Sequence, residues 1–291
     1  MESEHFALIA PCFNEGTVAV RFVQELETVL ASTSKRWSVI IVDDASTDGT
    51  LEHLQRMGPA PSNVFRQIIT LAYNMGHQEA IYQGLLYGST TPATRFVVMD
   101  ADGEDDPHAI SELTEISDTS IVFVARGKRS ESLMFRLGYM GYRSLFRLTT
   151  GRTISFGNYS MIDRRVLGAV LGRSFVHYAA FLSRQRVPSR LITYDRRKRI
   201  DGRSKMSFKS LTMHAFRSMI EYSEEVLILF LKAFICLAFF FLLSILAIVA
   251  IKLFTSQAIP GWASTLSLSL FNSMLVCLGF FATGLLLANT A

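Results

Sequence analysis

Along residues 5–125, short apolar runs alternate with longer stretches whose apolar side chains recur every three or four positions. The runs over 6–10, 37–42, 64–71, 96–99 and 120–125 are rich in β-branched and aromatic residues and stop at polar or turn residues, which predicts five strands. Between the first two, Val18, Phe22, Val23, Leu26, Val29 and Leu30 share one face of a helix over 15–30. Further helices are expected to about residue 57, with Ser46, Thr47 and Asp48 as capping types, and over 76–87 and 110–116. Strands alternating with helix-length spacers predict an α/β domain with an open, mostly parallel sheet. Ligands of such sheets lie beyond the carboxyl ends of the strands. Those ends carry Pro11 to Glu15, Asp43 and Asp44, Asn74, Asp100 to Asp105, and Arg126 to Arg129.

The pattern changes after residue 225, where only Lys232 and Lys252 carry charge. Residues 233–251 and 262–288 are uncharged, and each is long enough to cross a hydrocarbon core of about 30 Å. A short hinge with Pro260 and Gly261 joins them. The expectation is a two-helix transmembrane hairpin with spans of about 230–252 and 264–288, the alternative being a hairpin buried in a soluble core. Small side chains at Gly279, Ala282 and Gly284 would let copies pack into a homo-oligomer. Segments 131–147 and 207–225 mix apolar and basic positions at helical spacing, which suits a membrane surface or an ordinary surface helix.

The net charge is +4, but residues 184–209 hold ten Lys or Arg against two Asp. A basic run just before a membrane span suits phosphates or anionic headgroups rather than nucleic acid, and it places that side in the cytosol. The N-terminus, Met-Glu-Ser-Glu-His, has no apolar core segment, so no signal peptide is expected. Cys12, Cys236 and Cys277 show neither ligand spacing nor a disulfide pattern. The expected organisation is an α/β domain over 1–206, an interfacial helix over 207–225 and the hairpin over 226–291, in a multi-pass membrane protein with its α/β domain in the cytosol.

Chemistry concentrates at Asp100-Ala-Asp-Gly-Glu-Asp-Asp106. If the strand stays extended, Asp100, Asp102 and Glu104 fall on one side of the chain. Hard oxygen ligands so grouped suit Mg²⁺ or Mn²⁺, although alone they read equally as a solvated acidic turn. The first strand is not followed by G-x-G-x-x-G, and no G-x-x-x-x-G-K-[ST] occurs, which argues against a dinucleotide oxidoreductase and a P-loop NTPase.

Several motifs in order resemble one family. Pro11-Cys-Phe-Asn-Glu15 resembles P-x-[FY]-N-E, and Val42-Asp-Asp-Ala-Ser-Thr-Asp-Gly-Thr50 resembles VDDGSTDGT with Ala45 for Gly. Asn74-Met-Gly-His-Gln-Glu-Ala80 with Gly84 resembles N-x-G-x-x-x-A…G, Asp100 to Asp105 resembles DADLQD, and Arg199 to Lys205 resembles R-x-x-G-x-S-K. The chain is similar over nearly its whole length to family 2 glycosyltransferases acting on polyprenyl phosphates, the group of dolichol-phosphate mannose synthases and undecaprenyl-phosphate glucosyltransferases. The resemblance implies a GT-A fold for the domain over 1–206, which is then a cytosolic catalytic domain at the inner membrane, and an inverting, metal-dependent transfer from a UDP- or GDP-sugar to a polyprenyl phosphate.

It also implies residue roles. Pro11, Glu15, Asp43, Asp44, Asn74 and Asp100 would hold the nucleotide-sugar, and Ser204 and Lys205 would close over its pyrophosphate. Asp100, Asp102 and Glu104 would bind the cation, with Glu104 where the family usually has Gln. Arg126, Arg129 and Arg136 would receive the lipid phosphate through forked donors. Asn158 stands where related chains carry an Asp proposed as base or acceptor organiser. A phosphate acceptor, mostly dianionic at neutral pH, needs little base and could be oriented by Asn158. A hydroxyl acceptor would need one, and Asp105 is then the candidate. A catalytically weak nucleotide-sugar-binding scaffold is a third reading. No Q-x-x-R-W motif of processive synthases is present. The chain ends at Asn289-Thr-Ala291 without the basic tail of related chains, as a shortened member or an incomplete sequence would.

Overall fold

The computed structural model describes residues 4–126, 144, 147, 156–173, 175–194, 220–254 and 261–290. Contacts divide the chain into two compact units, Met1–Tyr139 with Ile154–Glu221, and Met140–Thr153 with Tyr222–Ala291.

The first unit holds a seven-stranded sheet: β1 (His5–Cys12), β2 (Arg36–Asp43), β3 (Val64–Thr70), β4 (Arg95–Val98), β5 (Ile121–Arg126), β6 (Phe156–Asp163) and β7 (Ser189–Tyr194). Its order is β3-β2-β1-β4-β6-β5-β7. All neighbouring pairs are parallel except those made by β6, which runs antiparallel to both β4 and β5. The five strands expected from the apolar runs are present. β6 and β7 are additions that the pattern did not announce: β6 carries Gly157 and Asn158, and β7 is an edge strand with much of its surface open. The antiparallel insertion has a consequence for function. It brings the beginning of β6, not its end, to the edge where β1, β2 and β4 finish.

The helices are α1 (Thr17–Ala31), α2 (Thr50–Gln55), α3 (His77–Ser89), α4 (Ala109–Glu115), α5 (Arg164–Leu171) and α6 (Tyr178–Arg184). Two apolar layers flank the sheet. One joins Phe22, Leu26 and Leu30 of α1 to Leu8, Val39 and Ile41. The other joins Ile81 and Leu85 of α3 to Ile9, Ile40 and Val98. Gly84 explains itself here: a Cβ at this position would meet Ile9 and lie 2.8 Å from Val42 Cγ2. Only glycine lets α3 lie this close to β1 and β2. The start of α2 departs from expectation. Its cap position is Gly49, at φ +84°, and not Ser46, Thr47 or Asp48. Asp48 instead accepts the Thr50 N–H at 3.1 Å, a local turn that takes the place of a side-chain cap.

The second unit contains α7 (Ser223–Phe254) and α8 (Trp262–Thr290), both long and apolar enough to cross a membrane. They pair as an antiparallel hairpin: Phe230 stacks on Phe280 at 5.3 Å and Phe241 meets Phe271 at 6.1 Å between ring centroids. Gly284, expected to face another copy, instead packs inside the hairpin, since a Cβ there would overlap Leu227 Cδ2. A Cβ on Gly279 would meet nothing within 4 Å. Of the two expected interfacial helices, only residues 144, 147 and 220–225 lie within the described part; 144, 147, 220 and 223–225 are helical, and 221–222 form a turn before α7.

Candidate active site

The loops after β1 and β2 are tied together. Asn14 adopts φ +53°, its N–H donates to Ser46 Oγ at 2.9 Å, and its Oδ1 accepts the Thr47 N–H at 2.8 Å. The Gly16 N–H donates to Thr50 Oγ1 at 2.7 Å. Ala45, which stands where VDDGSTDGT has glycine, is held at φ +56°. The chain geometry of the motif is therefore kept although the residue that favours it is not.

Asp43 and Asp44 differ in their surroundings. Asp44 is 2% exposed, and its two oxygens accept the N–H groups of Met75 at 2.7 Å and Gly76 at 2.9 Å. Asn74 adds a donor to the Asp44 carbonyl at 3.3 Å. Asp44 and Asn74 thus fasten the turn before α3 to the end of β2. Asp43, 1% exposed, accepts the Ser46 N–H on Oδ2 at 3.3 Å, while its Oδ1 is buried without a hydrogen-bond partner. A carboxylate oxygen so placed has an unmet demand for a donor. Pro11 is buried opposite Val42, and Glu15 is half-buried at the start of the next turn. Burial pushes the Cys12 thiol up, and the carboxylates of Asp43, Glu15, Asp48 and Asp44 push it further, so this thiol is inert and the edge is electronegative.

The acidic stretch after β4 is not an extended strand. β4 ends at Val98, and Gly103 at φ +76° turns the chain back on itself. The same-side alternation expected of Asp100, Asp102 and Glu104 is lost in this turn. Asp105, 3% exposed, accepts the Asp100 N–H on Oδ2 at 3.0 Å, and Asp102 Oδ1 accepts the Glu104 N–H at 2.9 Å. Glu104 is 8% exposed, whereas Asp100 and Asp102 are half-buried at the edge. Among the described residues no three His, Cys, Asp or Glu side chains are grouped as a metal site. The donor chemistry still suits Mg²⁺ or Mn²⁺, which take one or two protein carboxylates and fill their remaining positions with phosphate oxygens and water.

His77, the first residue of α3, was given no role by the sequence pattern, although it lies inside the Asn74–Ala80 motif. Its Nε2 sits 3.2 Å from Asp100 Oδ1 and 2.9 Å from Asn158 Nδ2. Burial alone would lower its pKa, but the carboxylates of Asp100, Asp102 and Asp105 outweigh this and raise it. Asn158 is thereby drawn into the same group as Asp100. Its Oδ1 is buried and has no partner. Tyr159, fully buried, donates its hydroxyl to the Asp106 carbonyl at 3.1 Å and fixes β6 against the acidic turn. Arg126 ends β5 at this edge. Arg129, Arg136, Ser204 and Lys205 lie outside the described residues.

An open α/β sheet with an acidic carboxyl edge, in a chain that also holds a membrane-length hairpin, defines the class: an α/β enzyme domain with a membrane-type anchor. The chain belongs to glycosyl transferase family 2, whose family model matches residues 7–170. It is 27% identical to the uncharacterized glycosyltransferase YkcC of Bacillus subtilis (strain 168), an alignment spanning 94% of this chain and 85% of that one. It is 26% identical to the undecaprenyl-phosphate 4-deoxy-4-formamido-L-arabinose transferase of Salmonella choleraesuis, over 54% of this chain and 47% of that one. It is 27% identical to the dodecaprenyl-phosphate galacturonate synthase of Rhizobium johnstonii, over 47% and 40% respectively. The GT-A fold is shared with glucosyl-3-phosphoglycerate synthase from Mycobacterium tuberculosis, solved with Mn²⁺, UDP and phosphoglyceric acid. That likeness has a TM-score of 0.57 at 12% identity and covers 77% of this chain and 78% of that chain. The resemblance to the polyprenyl-phosphate group is borne out, and the protein is a glycosyltransferase.

Proposed function

We propose that this glycosyltransferase moves a sugar, with inversion, from a UDP- or GDP-sugar to a polyprenyl phosphate at the cytosolic face of the inner membrane. The observation that carries the donor half is the buried, unpartnered Oδ1 of Asp43 at the carboxyl edge. A nucleobase or ribose donor group supplies the hydrogen bond it lacks. Pro11, Glu15 and Asn74 are assigned to the same donor end of the edge, which Asp44 holds in shape through Met75 and Gly76. Asp100 and Asp102, with Glu104 behind them, would hold Mg²⁺ or Mn²⁺. When bound, the cation supplies positive charge to the departing diphosphate. Ser204 and Lys205 are assigned to the pyrophosphate.

The acceptor half is supported by the named relatives and by the neutral side chain at Asn158. A dianionic phosphate attacks without a strong base, and Arg126, Arg129 and Arg136 are assigned to receive it. Asp105 is taken up with the Asp100 N–H, which supports a holding role and speaks against a base for a hydroxyl acceptor. The hairpin over 226–291 keeps the domain over 1–206 at the lipid surface, and residues 207–225 serve as the interfacial link.

The test is a screen of UDP- and GDP-sugars with purified full-length protein, C55 lipid phosphate and Mn²⁺. Lipid-phosphate-dependent release of nucleoside diphosphate is the expected result, lost in EDTA and in Asp102→Ala. Undiminished turnover in EDTA, or equal turnover on lipid alcohols, would overturn the reading.

A further inference from the structure

His77 Nε2 stands between two groups, and the chemistry of both limits what it can be. A ring nitrogen carries at most one proton, and an ionised carboxylate only accepts. At 3.2 Å from Asp100 Oδ1, an Nε2–H would pair with the carboxylate, whereas a bare Nε2 would face it lone pair to lone pair. An amide N–H₂ cannot accept that proton, yet Asn158 Nδ2 lies 2.9 Å away. Turning the Asn158 amide end for end resolves the conflict, because Oδ1 then faces the Nε2–H. The same turn gives Asn158 Oδ1 a partner and carries the amide N–H₂ to the position where Oδ1 has none. Three residues from α3, β4's end and β6 thus share a single proton donor.

We infer that His77 and Asn158 are a positioning pair for Asp100 in glycosyl transfer. The imidazole N–H holds the Asp100 carboxylate in one orientation at the strand end, and the Asn158 carbonyl oxygen holds the imidazole. This gives the Asn its reason. An Asp at 158, as in the family's usual stretch, would set a second carboxylate against the same N–H and compete with Asp100. Asn158 orients the ring without competing. His77 acts through Asp100 and is not assigned contact with the sugar. The inference rests on the glycosyltransferase reading, but part of its test does not require turnover.

In full-length, metal-free protein with ¹⁵N-labelled histidine, the His77 ring shows the Nε2–H form with a hydrogen-bonded proton. Asp100→Asn and Asn158→Leu each shift that signal. In turnover assays His77→Phe, which keeps the ring shape and loses the N–H, lowers kcat by about 10–100-fold and raises the Mn²⁺ concentration for half-activation by a similar factor. The KM for lipid phosphate stays within about threefold of wild type, and His77→Gln, which restores a donor at reach, recovers most of the loss. Should His77→Phe fail to fold, Asn158→Leu against Asn158→Gln gives the same comparison. An Nδ1–H ring in the metal-free protein, or equal losses in the Phe and Gln variants, would overturn the pair. If wild-type protein turns over no lipid phosphate, the acceptor reading fails, while the ring signal still decides the pair.

Discussion

Ala45 shows how a single residue can keep a motif's shape against its own preference. A left-handed backbone is unfavourable for a residue with a Cβ by about 1–2 kcal/mol, whereas glycine adopts it freely but loses more freedom on folding. Ala45→Gly is expected to raise stability by about 0.5–1 kcal/mol, read as a higher Tm in detergent. The motif was legible at Asp43 and Asp44 by type, but not the division of labour between them. Both are Asp in the same dipeptide, yet one closes a turn through Met75 and Gly76 and the other leaves an oxygen unmet. His77 was hidden for a related reason. Its partners lie 23 and 81 residues further along the chain, at Asp100 and Asn158, and no local pattern marks them.

Between α1 and β3 lies an ion pair that the apolar pattern does not reveal. Arg66 Nη1 bonds both oxygens of Glu27, at 3.0 and 3.1 Å, and its Nη2 donates to the Gly58 carbonyl. Removing the arginine leaves a buried carboxylate uncompensated. Arg66→Met is therefore expected to cost about 3–5 kcal/mol in denaturant unfolding, and Glu27→Gln added to it should recover most of the loss. Burial raises the Glu27 pKa, with Arg66 opposing. The folded state thus binds this proton more tightly than the unfolded chain, so the group's contribution is present below about pH 4.5 and falls as pH rises through its folded pKa. A pH series of unfolding on wild type and Glu27→Gln reads the difference. In the hairpin, the overlap of any Cβ at position 284 with Leu227 makes a paired test. Gly284→Val should lower Tm, and Leu227→Ala in the same chain should restore much of it, because the two side chains contend for one space.

Two helices of membrane length give the molecule a behaviour no soluble transferase shows. The full-length protein is expected to remain with membranes through high salt and alkaline carbonate and to be released by detergent. Release by salt alone would show that charge, not the hairpin, holds it there. The antiparallel β6 matters at the same level. It lies between β4 and β5, so its first residues reach the carboxyl edge beside the acidic turn. An all-parallel sheet would have put Asn158 near the far end of the domain from Asp100.

Apolar periodicity determined the five parallel strands, the helices between them and the two long C-terminal helices, because burial on one face or both imposes its own repeat on the chain. Residue type and motif order were enough for the family and for the acidic edge. Tertiary structure alone decided the rest. Gly103 broke the extended run that would have aligned Asp100, Asp102 and Glu104. The β6 insertion joined Asn158 to His77 and Asp100. Gly284 was turned toward Leu227 within its own hairpin. The reason is common to all three: a side chain's partner depends on chain reversals and long-range pairing, which leave no periodic mark on the sequence around it.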